Sequence, residues 1–424
     1  MNLITTNRNR QRMTRCGFTL LASFLLSGTA WAGDAETIAD LQARLATVEK
    51  NVDQLVENES KDSPAVGIPL HGFFDVGLTH ASNNETRIDQ AGRGFWANAL
   101  DFYLTPQFTD NSKALVELIF EFAPDGGLAT DLERIQYGYT FSDQLTTWMG
   151  RFHAPYGYWN TGFHHGAQIQ TSIMRPRFID FEDKGGLLPS HVMGAWATGA
   201  AAIGNSRLIY DVYVGNGNAM NIDTTSIPMT DPDPTHTGSL DINNARDSNG
   251  NKLFGANIAY KTGGLVLGTH GFTEHVTLRD ADTNSPVTGE IKVTMSGLYG
   301  FYENDSLEAI AEYYHFKNDD LTPAETGVHS SQLAFAQVGY TLAGVWTPYA
   351  RGEKASLNQK DPYFNNQQYG VSYTRQVLGM RYMLNTKAAL KLEANRTKEG
   401  DGVSISGPEN GKYREVRAQY SVRF

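Results

Sequence analysis

The chain has 424 residues, including 42 glycines, 20 tyrosines and 21 phenylalanines, and a formal net charge of −11 at pH 7. Only 19% of its residues are charged, yet beyond the first thirty residues no apolar run reaches the ~20 residues of a membrane-spanning helix. This composition argues against a helical membrane protein or an α/β enzyme, and it favours many strands joined by turns.

Residues 1–32 have the pattern of a secretory signal peptide. Four arginines precede a short apolar core at residues 18–26, and residues 30–32, Ala-Trp-Ala, fit a small-x-small cleavage site. The alternative, a membrane anchor, needs a longer apolar run. Cleavage would remove the only cysteine, Cys16, so we expect the mature chain to leave the cytoplasm without disulfides.

Cleavage would also make the chain more acidic. Taking four arginines and no acids from 35 Lys+Arg and 46 Asp+Glu leaves 31 against 46, a net charge of −15. No basic surface for nucleic acid is expected to remain.

Residues 33–58 predict a short periplasmic coiled-coil helix. Apolar residues recur at spacings of 3, 4, 3, 4 and 3, which keeps one apolar seam along a helix wound at about 3.5 residues per turn. The seam consists of Ile38, Leu41, Leu45, Val48, Val52 and Leu55. We expect it to associate copies of the chain, although an amphipathic helix docked on its own protein would show the same pattern. Residues 59–69, with two prolines and a glycine, are interpreted as a linker.

From residue 70 onward the apolar pattern has a period of two. Near the end of the chain, Val416, Ala418, Tyr420, Val422 and Phe424 alternate with polar residues. Such alternation over about ten residues is typical of a membrane barrel, with lipid outside and water inside. A soluble β-sandwich also alternates, but it has no reason to separate short from long connections.

The connections do separate by length. Short turns are predicted near 106–113, 141–145, 200–206, 261–264, 303–306, 341–345 and 385–387. They alternate with eight longer connections, so the fold class predicted for residues 70–424 is all-β, a 16-stranded antiparallel transmembrane β-barrel. Both chain ends would then lie in the periplasm, and the barrel in the outer membrane of a Gram-negative bacterium.

Closure of the barrel follows from the solvent. Lipid cannot pair with bare N–H and C=O groups, so a membrane-spanning sheet must close on itself. A barrel of sixteen strands is too wide for side chains alone to fill, and it encloses an aqueous channel unless loops plug it. The strand count therefore predicts passive diffusion, and the alternative is a plugged barrel with a structural or surface-anchoring role.

Residues 153–190 are too apolar for a solvated connection. Long segments in compact proteins are usually functional, and their apolar side chains must be buried somewhere. We predict that this segment folds into the barrel as a constriction loop, to which Arg175 and Arg177 contribute. The alternative is that it packs over the rim or against a neighbouring subunit.

Charged residues on the inward face would set ion selectivity. The predicted basic set is Arg134, Arg151, Arg175, Arg177, Arg351, Arg375, Arg381, Lys391, Arg417 and Arg423. The predicted acidic set is Glu117, Glu121, Asp211, Glu353, Glu393 and Glu415. Three interpretations stay open: an anion-preferring basic wall, a salt-bridged and nearly neutral wall without preference, or a preference for cations caused by the acidic loops.

Two clusters suggest metal ligands but fit poorly. Asp231 and Asp233, in the polar connection 216–251, lack the glycine of known calcium loops and are interrupted by prolines. His164 and His165 are adjacent, so on a strand their side chains would point apart. We expect no metal and no cofactor. No Ser/His/Asp set at a recognisable spacing indicates an enzyme.

Together these features resemble trimeric Gram-negative porins. More narrowly, the chain is similar to porins with an N-terminal periplasmic coiled coil, such as the DcaP-like group, and to the phosphate-selective porin superfamily. The segment 150–157, Gly-Arg-Phe-His-Ala-Pro-Tyr-Gly, resembles a strand that runs into a turn in those families. The predicted constriction loop lacks a lysine cluster, which departs from a phosphate-specific pore.

The resemblance also implies partners. It implies a homotrimer in outer-membrane lipid and lipopolysaccharide that passes small hydrophilic or anionic solutes. Phe424, with Tyr420 and Val422, resembles the assembly signal of outer-membrane proteins, which implies the barrel-assembly machinery as a partner.

Overall fold

The computed structural model describes residues 70–82, 93–122, 127–163, 167–181, 186–222, 238–241, 247, 249–280, 286–321, 327–367, 369–400 and 411–424. The predicted signal peptide 1–32, coiled coil 33–58 (Ile38, Leu41, Leu45, Val48, Val52 and Leu55) and linker 59–69 lie outside these residues.

The described residues form nineteen strands and two four-residue α-helices. The strands are β1 (Leu70–Ala81), β2 (Arg93–Leu104), β3 (Gln107–Thr109), β4 (Ser112–Phe122), β5 (Leu128–Ser142), β6 (Leu145–His153), β7 (His191–Ile203), β8 (Ser206–Asn216), β9 (Ala219–Ile222), β10 (Ser239–Asp241), β11 (Lys252–Thr262), β12 (Leu265–Asp280), β13 (Pro286–Glu303), β14 (Leu307–Asp320), β15 (Gly327–Tyr340), β16 (Trp346–Ser356), β17 (Tyr373–Asn385), β18 (Ala388–Glu399) and β19 (Lys412–Arg423). The helices are α1 (Trp159–Gly162) and α2 (Pro362–Asn365), and a 3-10 turn spans Arg177–Ile179. No helix in this part of the chain is long and apolar enough to cross a membrane.

Sixteen of these strands close into one antiparallel barrel. Each wall strand pairs with the next, and β8 pairs directly with β11. The barrel closes where β1 pairs with β19, from Phe73 opposite Arg423 to Ala81 opposite Glu415, while the other edge of β1 pairs with β2. The predicted sixteen-stranded antiparallel barrel is therefore confirmed. β3, β9 and β10 are short strands outside this count.

Short and long connections alternate around the barrel. Turns of two residues join β5 to β6, β7 to β8, β11 to β12 and β17 to β18. All seven predicted short turns fall between strands that pair with each other. The pattern of residues 275–291 predicts one of the eight longer connections, but β12 extends to Asp280 and β13 begins at Pro286, so most of this range belongs to strands.

The connection 216–251, whose Asn-, Asp-, Thr- and Pro-rich composition predicts a solvated loop, lies partly against the barrel. β9 pairs in parallel with the end of β12, where Thr277 lies opposite Ala219, and it pairs antiparallel with β10. Met220 and Leu240 are buried there. The apolar residues on either side of a polar stretch thus pack against the barrel. No local sequence pattern indicates the pairing of β9 with β10 and β12.

The two faces of the wall differ as the alternation predicted. On β19 the Val416 side chain is 45% exposed, whereas Arg417 next to it is 4% exposed. The same contrast recurs around the barrel, where leucines, valines and aromatics face outward and carboxylates, guanidinium groups and amides face inward. This is the arrangement that suits an apolar exterior and a polar interior.

The main hydrophobic core lies inside the barrel. It joins Tyr156, Trp159 and Phe178 of the 154–190 connection to wall residues such as Phe335 on β15, and to Tyr363 of α2 in the connection between β16 and β17. Burial of each large side chain contributes roughly 1.5–3 kcal/mol. The interior is therefore occupied partly by the chain's own long connection.

Candidate pore constriction

The 154–190 connection begins and ends at two paired histidines. His153 ends β6 and His191 begins β7; they are register partners, and their ring centroids lie 5.1 Å apart. Between them the chain contacts inward-facing side chains of the wall, and it contains α1 and the 3-10 turn at Arg177–Ile179. The contacts fall into four groups along its length.

The first contact is made by Glu312 of β14. Its Oε1 accepts hydrogen bonds from the backbone N–H groups of Tyr158 (2.9 Å) and Trp159 (2.7 Å). The preceding residue, Gly157, has φ +62°, and a Cβ there would lie 2.3 Å from Glu312 Oε2. Glycine is required here by both conformation and space. Burial also raises the pKa of the Tyr158 hydroxyl to about 12, so it stays neutral.

The second contact is made by two residues of β18. Lys391 donates hydrogen bonds from Nζ to the carbonyl oxygens of Gln170 (2.8 Å) and Ser172 (3.0 Å), and to that of Ala167. Glu393 Oε2 accepts from the backbone N–H of Ile173 at 2.9 Å. One strand thus presents a cation to carbonyls and an anion to an amide of the same segment.

The third contact is made by the ion pair of Arg351 and Glu353 on β16. Arg351 Nε donates to Glu353 Oε1 at 2.8 Å, and its Nη1 donates to the carbonyl oxygen of Met174 at 2.8 Å. The Arg351 Nη2 donates to the Arg175 carbonyl oxygen at 3.1 Å. Glu353 Oε2 accepts from the Arg177 backbone N–H at 2.8 Å. Both charges are therefore used to fix the segment 174–177.

The fourth contact is made by the arginines of the connection itself. Arg177 Nη1 donates to Glu399 Oε1 on β18 at 2.7 Å, and both side chains are buried. Arg175 turns back on its own segment and donates from Nη2 to the Ile179 carbonyl oxygen at 2.9 Å. Arg175 also lies 3.9 Å from Asp180.

The remaining predicted residues on β17 and β19 also lie close to the connection, except for Arg423. Arg375 Nη2 is 2.8 Å from Met174 Sδ and 3.7 Å from Glu415, which also accepts a hydrogen bond from Arg417 at 3.1 Å. Arg381 donates to the Gln168 carbonyl oxygen at 3.1 Å. Arg423 is exposed at the short-turn end of β19 and makes none of these contacts.

The opposite half of the wall carries a second charged group. Arg134 pairs with Glu117, and Arg151 lies 3.9 Å from Glu133. His191 Nε2 lies 2.7 Å from the same Glu133 oxygen. The sequence reasoning missed Glu133, because a register shift between Glu117 and Leu118 places two successive residues of β5 on the inward side. The only local sign of that bulge in the sequence is that two charged residues, Glu133 and Arg134, are adjacent on the strand.

The predicted set is thus divided between two regions. The structure brings together Arg175, Arg177, Arg351, Arg375, Arg381, Lys391, Arg417, Glu353, Glu393 and Glu415 around the connection. Arg134, Arg151 and Glu117 lie together on β4–β6, and half-buried Glu121 shares the inward face of β4. Asp211 stands apart on β8, where it accepts hydrogen bonds from Trp196 Nε1 (3.0 Å) and Asn257 Nδ2 (2.8 Å).

The last residues of the chain complete the wall. Phe424 and Gly72 exchange two backbone hydrogen bonds of 3.1 Å, and the Phe424 ring lies edge-on to Phe102 at 5.9 Å. Tyr420 and Val422 share the outer face with Phe424. Their role as an assembly signal stays a prediction.

Within the described part of the chain, no group of three or more His, Cys, Asp or Glu side chains is arranged to hold a metal ion. The histidines 164 and 165, the acidic residues Asp231 and Asp233, and the loop residues 182–185 lie outside the described residues.

Comparison with known proteins relates this architecture to solved structures. An anion-selective porin from Comamonas acidovorans is similar at a TM-score of 0.53 and 12% identity, covering 84% of this chain and 99% of that one. The trimer form of OmpT, an outer membrane protein of Vibrio cholerae, is similar at a TM-score of 0.50 and 10% identity, covering 84% and 99%. The fold is that of the outer-membrane porins.

Sequence comparison adds nothing to this structural similarity. No family model matches the chain, and no curated protein matches it.

The outer membrane channel DcaP of Acinetobacter baumannii is a third similar structure, with a TM-score of 0.49 at 11% identity, covering 84% of this chain and 96% of that one. The narrower resemblance to the DcaP-like group stays a prediction.

Proposed function

We propose that this chain is an outer-membrane diffusion porin whose pore is narrowed by the 154–190 connection. The observation that carries the proposal is the set of hydrogen bonds that holds Tyr158, Trp159 and the segment 167–177 against Glu312, Arg351, Glu353 and Lys391 inside a closed sixteen-stranded barrel. Long connections that are fixed in this way are usually functional. A fixed connection sets a fixed cross-section.

The physics of the barrel supports a channel. A closed barrel of sixteen strands has an interior wider than side chains can fill, and its apolar outer face suits lipid. Small hydrophilic solutes and ions are the substrate class of such a pore, because selection rests on size and wall charge alone. The proposal places the barrel in the outer membrane of a Gram-negative bacterium.

We propose a weak preference for anions. The similar porin from Comamonas acidovorans is named as anion-selective, which supports the sign. The magnitude should be small, because several arginines of the predicted basic set are paired with carboxylates. Arg351 with Glu353, Arg177 with Glu399 and Arg134 with Glu117 are examples.

The assembly is also part of the proposal. We propose a homotrimer, which the trimer form of the similar Vibrio cholerae protein supports. The seam of residues 38–55 would strengthen it from the periplasm, after export directed by residues 1–32 and insertion by the barrel-assembly machinery into lipid and lipopolysaccharide. Deleting residues 33–58 should then lower the melting temperature of the trimer on a detergent gel, whereas unchanged trimers would leave assembly to the barrel wall.

The alternative of a plugged, surface-anchoring barrel makes a different prediction for solute flux. Liposomes that contain the purified protein should swell in small sugars and amino acids but not in large oligosaccharides. Swelling that is no faster than in empty liposomes, for every solute, would favour the plugged barrel. The anion preference is measured separately, as a reversal potential in a salt gradient.

A further inference from the structure

An interior space lies beside the first of the contacts described above, because Gly157 and Tyr158 border it. It is a cavity of about 470 Å³ between the start of the 154–190 connection and the inward faces of β7, β8 and β11–β13. Turn residues Gly263 and Gly264 border it, so it opens near the short-turn end. The other three contacts of the constriction do not border it.

One wall of the cavity holds a buried carboxylate. Asp211 Oδ1 accepts from Trp196 Nε1 and Oδ2 accepts from Asn257 Nδ2, while Asn257 Oδ1 accepts from Tyr299 OH at 3.0 Å. All the donors to Asp211 are neutral, and within the described residues no cation lies within ion-pair distance of it. A buried carboxylate without a counter-charge costs free energy unless a cation reaches it.

Aromatic rings line the same cavity. Tyr158 and Phe301 stack at 3.9 Å between ring centroids, with 10° between their planes. Trp196 and Tyr299 also line the cavity. Aromatic faces attract organic cations through the ring quadrupole, and their carbon atoms bury an apolar body.

Two opposite charges stand at the cavity's edge. Lys261 of β11 and Glu303 of β13 are both exposed, and Val266 of β12 lies between their strands. In the described part of the chain neither makes an ion pair. Together with Asp211 the cavity therefore carries two carboxylates against one ammonium group.

We propose that this cavity binds a solute that carries an ammonium group on an aromatic or aliphatic body. Asp211 is the counter-charge, and the rings of Trp196, Tyr158 and Phe301 hold the body. Glu303 attracts the ammonium group at the entrance, and the Lys261 ammonium group pairs with the carboxylate of a zwitterion. The inference rests on the proposed function and deepens it, since it names one class of organic solute for the channel in addition to the weak preference for small anions.

The test is calorimetric titration of the full chain in detergent, which does not depend on conduction. The three probes carry the same phenyl ring on chains of similar length: phenethylammonium is the cation, phenylalanine the zwitterion and 3-phenylpropanoate the anion. We expect the first two to bind and the third to show no heat. The substitution Asp211→Asn keeps an oxygen for Trp196 and should weaken phenethylammonium about tenfold, the worth of one charge-assisted contact.

Three further variants separate the roles. Glu303→Gln, at an exposed site, should weaken both binding probes and keeps the test meaningful if Asp211→Asn folds poorly. Lys261→Gln should weaken phenylalanine alone. Asp305→Asn removes a carboxylate from the neighbouring turn and should change nothing.

The outcomes distinguish the two proposals. Binding without liposome flux would sink the channel and leave the cavity standing, whereas flux without binding of either ammonium probe would overturn the cavity. Equal binding of the anion, or an equal loss of affinity in Asp305→Asn and Asp211→Asn, would also overturn it.

Discussion

The Lys391 ammonium group donates a hydrogen bond to the Ser172 carbonyl oxygen over 3.0 Å, which ties β18 to the middle of the 154–190 connection. Lys391 is 3% exposed, and all three of its hydrogen bonds end on main-chain oxygens of that connection. A residue predicted to present charge to a pore thus also serves as an anchor. The width of the pore then depends on contacts that no solute makes.

Replacing Lys391 should loosen the connection. Lys391→Met keeps much of the side chain's length but removes three donors from carbonyl oxygens, and hydrogen bonds to charged groups contribute about 1.5–3 kcal/mol each. We expect a larger and noisier single-channel conductance. Lys398→Met, at an exposed site on the same strand, is the matched control. Identical conductance in both variants would contradict the claim that Lys391 anchors the connection.

Gly157 should tolerate no side chain. Its φ of +62° and the 2.3 Å approach of a Cβ to Glu312 Oε2 mean that Gly157→Ala strains the backbone and displaces Glu312. We expect a loss of more than about 1 kcal/mol in stability and faster proteolysis within the connection. Gly352→Ala, which has open space around its Cα, is the control. Equal protease resistance in the two variants would contradict this account.

Arg177 and Glu399 should be strongly coupled. Removing one partner of a buried ion pair leaves an uncompensated charge and costs about 3–5 kcal/mol. We expect Arg177→Met and Glu399→Gln each to lower the thermal stability, and the double variant to lose less than their sum. A double-mutant cycle of unfolding free energies measures this coupling. Additive losses would mean that the pair contributes through its other neighbours.

Asp361 should make stability depend on pH. Burial raises its pKa from 3.8 to about 6, although it accepts hydrogen bonds from Tyr363 N and Asn318 Nδ2. The folded chain therefore binds this proton more tightly than the unfolded chain, so the cost of ionisation is complete above pH 6 and disappears as the pH falls below 3.8. We expect Asp361→Asn to melt at a higher temperature than the wild type at pH 7.5, because its free energy of unfolding is larger by up to about 3 kcal/mol.

The comparison at low pH is the control for Asp361. At pH 3 the carboxyl is largely protonated in both states, so the two proteins should melt together. Asparagine can still accept from Tyr363 N at the start of α2, which keeps the helix cap. A constant difference between the proteins across this range would assign the effect to packing instead of ionisation.

The strand count was predictable because alternation is a local signal that each strand carries by itself. The alternation of apolar and polar residues within β19 predicts that Val416 faces outward and Arg417 inward, without information from any other strand. The bulge that turns Glu133 inward was not predictable, since it depends on the register between β4 and β5. Nor was the pairing of β9 with β12, which joins residues 58 positions apart, Ala219 and Thr277.

The candidate site was predictable only in part, for a related reason. Alternation shows which face a side chain occupies, but not what lies opposite that face. Arg351, Arg375 and Lys391 face inward as predicted, yet their contacts are with a connection whose path has no periodic pattern. The apolar content of that connection indicated burial, and only the folded chain shows the carbonyl oxygens that receive these charges.

Single-channel recording in a planar bilayer tests the central claim most directly. The purified wild-type protein should insert in discrete steps of stable, ohmic conductance, and Lys391→Met should give larger steps than Lys398→Met. A protein that inserts but carries no current above the bare bilayer would contradict a water-filled pore bounded by the 154–190 connection.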